Sequence, residues 1–408
     1  MHLPDEKKTF LLSVAIFLLL GLAFGVFTSA DVIAARTLGA SAFSVAVLMF
    51  LLNASAIVSL PLTQWMGAGR RRRRSLLVMG FVCTLPVFLY PLVPGVGTFI
   101  FAIFVVHLLS VVMPPTMNIL YRRHFRPGQL GRLFGWTTSA KIVAGMAGAT
   151  ATGVLLDHDD ALYRPLLLVA GALVVFAIVL LSRMDFGEDP AASGSQEAAP
   201  RSLFRAFAET ARTVRGVLAR DRTFFRFERN FIIYGLGFLM LTPVVPVYFV
   251  RVLDLDYSTI SLSRMVVGQT ALWMLSPAAG ALFDRSNAFR FTGFSYLTLA
   301  GYPLLVGLAA LLPDAWILVA VFAGYAFYSV GMTGVSISWH IGSIRFAKDA
   351  DPALYQGVHV TLTGLRSLFG PVLGYVVMTW FGFAAAFGLA AAFFLTAAGL
   401  MLRDRHAA

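Results

Sequence analysis

Apolar runs of about 20 residues recur along the whole of this 408-residue chain. Each run is long enough to cross ~30 Å of hydrocarbon as an α-helix. The runs are continuously apolar and do not alternate, as the lipid-facing strands of a membrane barrel must. Charged residues make up 13% of the chain, about half the fraction of an average soluble domain. The sequence therefore predicts an all-α integral membrane protein.

The apolar runs predict twelve transmembrane helices in two halves of six. Their predicted bounds are 9–34, 41–66, 75–93, 98–121, 133–156, 162–183, 229–252, 258–283, 289–312, 315–342, 355–380 and 383–402. A long connection separates the sixth run from the seventh. The predicted organisation is an N-terminal half at 1–183, a cytoplasmic linker at 184–228 and a C-terminal half at 229–408.

Basic residues are concentrated in alternate loops. With the N-terminus inside, the cytoplasmic loops hold the five arginines of Arg70–Arg74, and nine further arginines lie in and beside the 184–228 linker. The opposite loops hold only Arg36, Arg164 and Arg251. Because positive charge resists translocation, both termini are expected in the cytoplasm and the chain in the cell inner membrane. The net charge of +12 follows from this asymmetry, so no nucleic-acid partner is expected.

The linker has two parts of different character. Residues 188–200 are rich in Ala, Ser and Gly and are expected to be flexible. Beyond them, apolar residues recur at helical spacing with arginines between them, which predicts a helix on the inner membrane surface with anionic membrane lipids as partners. The apolar positions are Phe204, Phe207, Ala211, Val214 and Leu218.

Several classes of site are disfavoured by the residue types present. The single cysteine, Cys83, permits neither an internal disulfide nor a thiolate cluster, and the seven histidines lack the spacing of metal ligands. No P-loop sequence is present, and no nucleophile and base are grouped at membrane depth. We expect neither a bound metal nor a cofactor, and no enzymatic activity.

The two halves carry a weak internal repeat. Leu38–Ser44 opens the second predicted helix and Leu255–Ser261 opens the eighth, with Ser residues in matching positions. Lys141 in the fifth helix and Arg366 in the eleventh also occupy equivalent places. Duplicated halves of this kind are typical of transporters that bind substrate between two repeats.

Four short motifs accompany the repeat. Gly280-Ala-Leu-Phe-Asp284-Arg285 follows the eighth helix, and Gly67-Ala-Gly69-Arg70-Arg71 follows the second, directly after Met66. The fifth and eleventh helices carry glycine-rich segments, Gly145–Gly153 and Gly370-Pro371-Val-Leu-Gly374.

With the predicted topology, these motifs resemble the major facilitator superfamily of secondary transporters over nearly the whole chain. The resemblance implies two pseudo-symmetric six-helix bundles, transport by alternating access as an antiporter or symporter, and a monomer. It also implies gating roles at the cytoplasmic loops for Gly280, Asp284, Arg285, Arg70 and Arg71.

Ionisable residues inside the predicted helices indicate where the substrate binds. Lys141 lies roughly 14 Å and Arg366 roughly 16 Å from the inner end of their helices. Charge at such depth is costly unless it faces water, a partner or a substrate. His107 lies near the middle of the fourth helix, and Asp31 is the only acid assigned to a span. Lys141, Arg366 and His107 are therefore predicted to bind substrate.

Two deep cations without a deep carboxylate are expected to attract anions and repel cations, so a small organic anion is the predicted substrate. Asp31 or His107 is the candidate proton carrier, although Asp31 is equally able to pair with Arg36 or Arg264. Two alternatives stay open: a multidrug exporter of hydrophobic compounds, and a membrane sensor of the same fold that does not transport. Further candidate contacts are Trp136, Tyr234, Gln269, Tyr325, Tyr328, Trp339 and His340.

Overall fold

A computed structural model describes residues 5–58, 62–63, 65–66, 69–124, 130–187, 203–347 and 351–405 of the chain. These residues form helices joined by short turns and contain no β-strand. The helices are α1 Asp5–Phe27, α2 Ala30–Ala35, α3 Ala42–Ala54, α4 Gly69–Leu89, α5 Val96–His124, α6 Leu130–His158, α7 Tyr163–Ser182, α8 Leu203–Arg220, α9 Arg222–Arg251, α10 Tyr257–Ser261, α11 Gly268–Arg285, α12 Ala288–Leu308, α13 Asp314–Ile337 and α14 Pro352–Asp404.

Twelve apolar segments in the described residues match the predicted spans. Ten helices are long and apolar enough to cross a membrane, and Ala42–Val58 is a shorter apolar helix. One of the ten, Leu354–Asp404, has 51 residues, about 77 Å as a single helix and more than twice the ~30 Å hydrocarbon thickness. Its backbone departs from helical geometry at Gly382, where φ is 84°, so it provides two spans. The prediction of an all-α protein with twelve transmembrane helices is confirmed.

Two predicted features fall partly or wholly outside the described residues. The second span was predicted at 41–66, and its apolar helix covers Ala42–Val58. Residues 59–61, 64 and 67–68, which include part of the loop motif after that span, lie outside the description. The predicted flexible segment at 188–200 also lies outside it.

The seventh span begins seven residues before the predicted position. The Asp221 carboxylate accepts a hydrogen bond from the backbone N–H of Phe224 at 2.8 Å and caps the first turn of α9. Phe224, Phe227 and Phe231 then follow at helical spacing and are all buried. The prediction treated the interleaved arginines as loop charge, whereas they lie on the more exposed side of a helix that is already packed.

The chain divides into two compact units. Unit 1 comprises Met1–Ser195 together with Asp254–Val266, and unit 2 comprises Gln196–Leu253 together with Val267–Ala408. The eighth span, Tyr257–Arg285, is thus shared, with its first part in unit 1 and the rest in unit 2. A π-helical turn at Leu262–Val267 marks the change.

Small residues let the long helices of unit 1 approach closely. A Cβ atom at Gly148 of α6 would lie 2.7 Å from the carbonyl oxygen of Leu22 in α1. A Cβ at Gly25 would overlap the backbone of Ala149 in the same way. Such backbone approach is a common mode of packing between membrane helices, and it fixes α6, which carries Lys141, against α1.

In unit 2 the same kind of contact joins α9 and α14. A Cβ atom at Gly374 would overlap the carbonyl oxygen of Met240, and one at Gly370 would overlap the side chain of Leu239. The glycines of the eleventh-span motif therefore hold α14 against α9. This packing sets the position of Arg366, one turn before Gly370, relative to the residues of α9.

The helix predicted within the linker is present as α8. In its described second half, Arg212, Arg215 and Arg220 are exposed, and Val214 and Leu218 are half-buried. The helix is therefore amphipathic, as the spacing of its apolar residues predicts.

Candidate functional site

Arg366 lies in the interior of unit 2, roughly 18 Å along the span that begins at Leu354. Only 8% of its surface is exposed. Its Nη1 atom donates a hydrogen bond to the carbonyl oxygen of Phe231 at 2.6 Å. The guanidinium also lies over the rings of Phe231 and Tyr234, 5.2 Å and 5.5 Å from their centroids. One turn of α9 thus provides the guanidinium with one hydrogen-bond acceptor and two aromatic faces.

The guanidinium of Arg366 keeps unused donors. Among the described residues it makes only the hydrogen bond to Phe231 and no ion pair, and its buried Nε has no hydrogen-bond partner. An arginine side chain has five N–H donors arranged to hold both oxygens of a carboxylate or phosphate. A buried cation with free donors is chemically suited to an anionic ligand.

Glu228 and His359 form a second buried polar group in the same unit. The exposed fractions of their side chains are 2% and 0%. His359 Nδ1 lies 2.9 Å and 3.0 Å from the two carboxylate oxygens of Glu228. Phe231 and Trp339 pack edge-on against the imidazole, with ring centroids 4.7 Å and 5.8 Å away. A hydrogen bond that is buried from solvent therefore joins the two side chains, each of which can bind a proton.

The expectation that no carboxylate besides Asp31 lies in a span is wrong. Glu228 belongs to the span Arg222–Arg251 and is close enough to Arg366 to interact with it electrostatically. The misplaced start of the seventh helix put Glu228 in the linker. A sequence signal was present: Glu228 and Gly235, like His359 and Arg366, are seven residues apart and so lie on one face of their helices.

Two tyrosines complete the surroundings of this cluster. The rings of Tyr234 and Tyr296 stack with centroids 4.5 Å apart and an interplanar angle of 11°. The hydroxyl of Tyr296 on α12 is buried and has no hydrogen-bond partner among the described residues. Tyr296 also lies within electrostatic range of both Glu228 and Arg366. Of the predicted aromatic contacts, Tyr234 and Trp339 therefore lie at this cluster.

Lys141 and His107 lie together in unit 1. The Lys141 ammonium is 5.3 Å from the centroid of the Phe24 ring and within electrostatic range of His107. The His107 ring faces the backbone of Leu52 and lies 3.4 Å from the hydroxyl of Ser110. Both side chains are half-buried. The predicted substrate-binding residues thus form two groups: Lys141 with His107 in unit 1, and Arg366 in unit 2.

Asp31 is engaged in a two-point ion pair. The Nη1 and Nη2 atoms of Arg264 donate to its two carboxylate oxygens at 3.0 Å and 2.8 Å. Arg36, the other pairing partner that the sequence permits, instead binds Asp254 at 2.8 Å. Of the two possibilities left open for Asp31, the structure has the carboxylate paired, and its partner is Arg264.

Asp284, a predicted gating residue after the eighth span, contacts an arginine from another loop through its backbone. Arg345 donates to the backbone carbonyl oxygens of Ser286 at 2.7 Å and Asp284 at 3.0 Å, and its guanidinium lies 4.5 Å from the Phe283 ring centroid. The cation therefore binds the negative end of the α11 helix. The side chains of Asp284 and Arg285 are exposed.

The other predicted gating residues make fewer contacts. A Cβ atom at Gly280 would meet nothing within 4 Å. Arg70 and Arg71 begin α4 and are exposed, while Met66 before them is fully buried. Within the described residues, no group of three or more His, Cys, Asp or Glu side chains is placed to hold a metal ion.

Known proteins share this architecture. A family model for the Major Facilitator Superfamily matches residues 11–347. The solved structure of the nucleoside transporter NupG is similar with a TM-score of 0.68 and 14% sequence identity, over 96% of this chain and 98% of that one. A POT family transporter in complex with 5-aminolevulinic acid gives 0.70 and 14%, over 96% and 95%.

A bacterial homologue of the human drug peptide transporters PepT1 and PepT2 is similar to the same degree, with a TM-score of 0.68, 14% identity, and coverage of 98% and 97%. No curated protein sequence matches the chain. At such low identity the solved structures establish the fold alone, and the family model establishes membership. This multi-pass membrane protein belongs to the major facilitator superfamily of secondary transporters.

Proposed function

We propose that the protein is a secondary transporter that moves a small organic anion across the inner membrane by alternating access, with its N- and C-termini in the cytoplasm. The proposed partner is a small molecule, and the proposed transporting form is a monomer built from the halves 1–183 and 229–408 joined by the linker at 184–228. The proposal depends on one observation: the guanidinium of Arg366 is buried and has hydrogen-bond donors without partners among the described residues.

A buried cation is costly in a membrane protein unless a counter-charge or polar ligand offsets it. Arg366 is buried, makes one hydrogen bond to a backbone carbonyl and forms no ion pair with any described residue. Its Nε atom is free of protein partners in the described region. A carboxylate or phosphate bound at two points to this guanidinium would supply the missing acceptors.

The carboxylate of Glu228 does not supply the acceptors that Arg366 lacks. Both of its oxygens lie within hydrogen-bond distance of His359 Nδ1, and it forms no ion pair with Arg366 among the described contacts. A transporter of cationic drugs needs a carboxylate that is open to the drug, whereas this one is occupied by an imidazole. Glu228 therefore interacts with Arg366 electrostatically and does not provide a binding site for a cation.

Lys141 is the proposed second anion-binding residue, with His107 beside it. Its ammonium is a compact charge on a flexible stem, and Phe24 is the aromatic neighbour that the structure records. Proton coupling through Asp31 or His107 belongs to the same proposal. Asp284, Arg285, Gly280, Arg70 and Arg71 are the proposed gating residues of the cytoplasmic loops.

Thermal unfolding of the detergent-purified protein with a panel of anions tests the substrate class, since a selective ligand raises apparent stability. Benzoate and its uncharged analogue benzamide form a matched pair for this panel. We expect stabilisation by anions such as benzoate, none by benzamide, and loss of the effect in Arg366→Ala but not in Arg290→Ala, an exposed arginine of the same unit. Equal stabilisation by neutral compounds in Arg366→Ala would favour the alternative, an exporter of hydrophobic compounds.

A further inference from the structure

The Glu228–His359 pair combines two proton-binding groups with complete burial, a combination that a purely structural contact does not need. Both Glu228 oxygens face His359 Nδ1, so one proton lies between them whichever group formally holds it. The second ring nitrogen, Nε2, is buried with no hydrogen-bond partner among the described residues. The pair therefore has capacity for a further proton on the carboxylate or the imidazole.

The charged and titratable groups around the pair are few. On α9 they are Glu228 itself and Tyr234, and on α14 they are His359 and Arg366. The α12 helix contributes the phenol of Tyr296. The turn at Ser338–Gly342 contributes Trp339, which has no titratable group, and His340, whose ring centroid lies 4.7 Å from that of Trp339. Glu228 and Arg366 carry side chains of opposite formal charge, and Phe231 lies between the pair and the guanidinium.

Phe231 separates the pair from Arg366. Its ring packs edge-on against His359 at 4.7 Å and lies 5.2 Å from the Arg366 guanidinium. Phe231 also supplies the carbonyl that Arg366 binds. An anion at Arg366 and a proton at the pair would thus occupy neighbouring but distinct places, linked by their charges and not by contact.

From this arrangement we infer that the Glu228–His359 pair is the proton-binding site that accompanies each anion bound at Arg366. The inference rests on the proposed function. A monovalent anion bound at Arg366 adds one negative charge close to the Glu228 carboxylate, which the low dielectric of the interior disfavours. Uptake of one proton from the medium by the pair offsets the added charge, so the anion and the proton bind together.

This linkage is reciprocal, because an anion that favours proton uptake must itself bind more tightly when protons are abundant. One proton taken up per anion corresponds to a tenfold gain in anion affinity for each unit decrease in pH. Between about pH 6 and pH 8 benzoate stays ionised, since its carboxyl group titrates in the range of Glu. Any pH dependence of its binding in that window then comes from the protein.

The first experiment needs no ligand. Infrared difference spectra of purified protein between pH values follow the carboxyl stretch of a protonated acid. We expect one titrating band that is absent in Glu228→Gln and altered in His359→Gln, and that is retained in Asp404→Asn, which changes another buried carboxylate of unit 2. A spectrum unchanged by Glu228→Gln would overturn the assignment of the proton site.

The second experiment measures proton uptake and affinity when benzoate is added to weakly buffered protein. The wild type is expected to take up one proton per benzoate, and Glu228→Gln to bind benzoate with no proton uptake and no tenfold pH slope. Monodispersity and thermal unfolding establish that each variant is folded, and Glu228→Asp serves as the conservative variant that keeps an acid. Benzoate binding without proton uptake in the wild type, or uptake retained in Glu228→Gln, would overturn the coupling.

The two experiments separate this inference from the proposed function. A titrating Glu228 band in a protein that binds none of the tested anions would contradict anion transport while retaining the proton site. Anion binding that depends on Arg366 but not on pH would retain the proposed function and contradict the role of the pair.

Discussion

The guanidinium of Arg366 lies against Gly235 of α9, in the space that a side chain at residue 235 would occupy. A Cβ atom added there would overlap Nη1, Cζ and Nε of Arg366. The residue opposite the arginine must therefore be glycine for the guanidinium to reach the carbonyl of Phe231.

Gly235→Ala should displace the guanidinium without removing its charge. Because the overlapped atoms are the end of a flexible side chain, we expect the protein to fold. Loss of a charged hydrogen bond corresponds to roughly 1.5–3 kcal/mol, or about a 10- to 150-fold loss of benzoate affinity. Titration calorimetry measures this change. Gly399→Ala, where an added Cβ meets nothing within 4 Å, is the control, and equal affinities in the two variants would contradict the placement of Arg366.

Asp31→Asn should lower the thermal stability of unit 1. Asp31 is buried, whereas the side chain of Arg264 is a quarter exposed, so the loss should be about 2 kcal/mol, below the range for a fully buried pair. Chemical unfolding of Asp31→Asn, Arg264→Gln and the double variant measures the coupling between the two residues. Additive effects would show that the ion pair does not contribute to stability. A transport pH profile that Asp31→Asn flattens would identify Asp31 as the proton carrier in place of the Glu228–His359 pair.

Reporter fusions test the predicted orientation of the chain. Fusions near Asp157 should report the outside, and fusions near Arg72 and Gln196 the cytoplasm, because basic loops stay on the cytoplasmic side. Inverted signals at these three positions would contradict the assignment of the termini. A mixed result would contradict the even number of spans that places both termini on one side.

Most of the fold could be predicted because each span must satisfy its own backbone hydrogen bonds and match the bilayer thickness. Continuous apolar runs of about 20 residues indicate both requirements directly. The start of the seventh helix was missed because its first turns are amphipathic: Arg222 and Arg226 point outward while Phe224 and Phe227 are buried. The cap at Asp221 is a local contact that hydropathy does not register.

The candidate site was only partly predictable. The depth of Arg366 along its helix identified this residue as a candidate. Its partners depend on which face of α9 packs against α14, and the contacts at Gly370 and Gly374 determine how the two helices are aligned. The same alignment of α9 and α14 places Glu228 beside His359. In unit 1, Arg264 lies in a π-helical turn at Leu262–Val267, which departs from the α-helical periodicity on which the sequence prediction relies.

Arg345→Ala should slow transport without weakening anion binding. Arg345 binds the carbonyl oxygens at the end of α11 and contacts neither Arg366 nor the Glu228–His359 pair in the described structure. The rate of benzoate exchange into vesicles should fall several-fold at unchanged benzoate affinity. Arg403→Ala, an exposed arginine near the C-terminus, is the control. A change in affinity equal to the change in rate would contradict a gating role.

Transport of labelled anions into sealed vesicles by the variant with both Lys141→Ala and Arg366→Ala tests the central claim most directly. The account predicts that this variant folds, reconstitutes at the wild-type level and loses anion transport, while Arg290→Ala transports normally. Unchanged uptake by the double variant would contradict the claim that these two cations bind the transported anion.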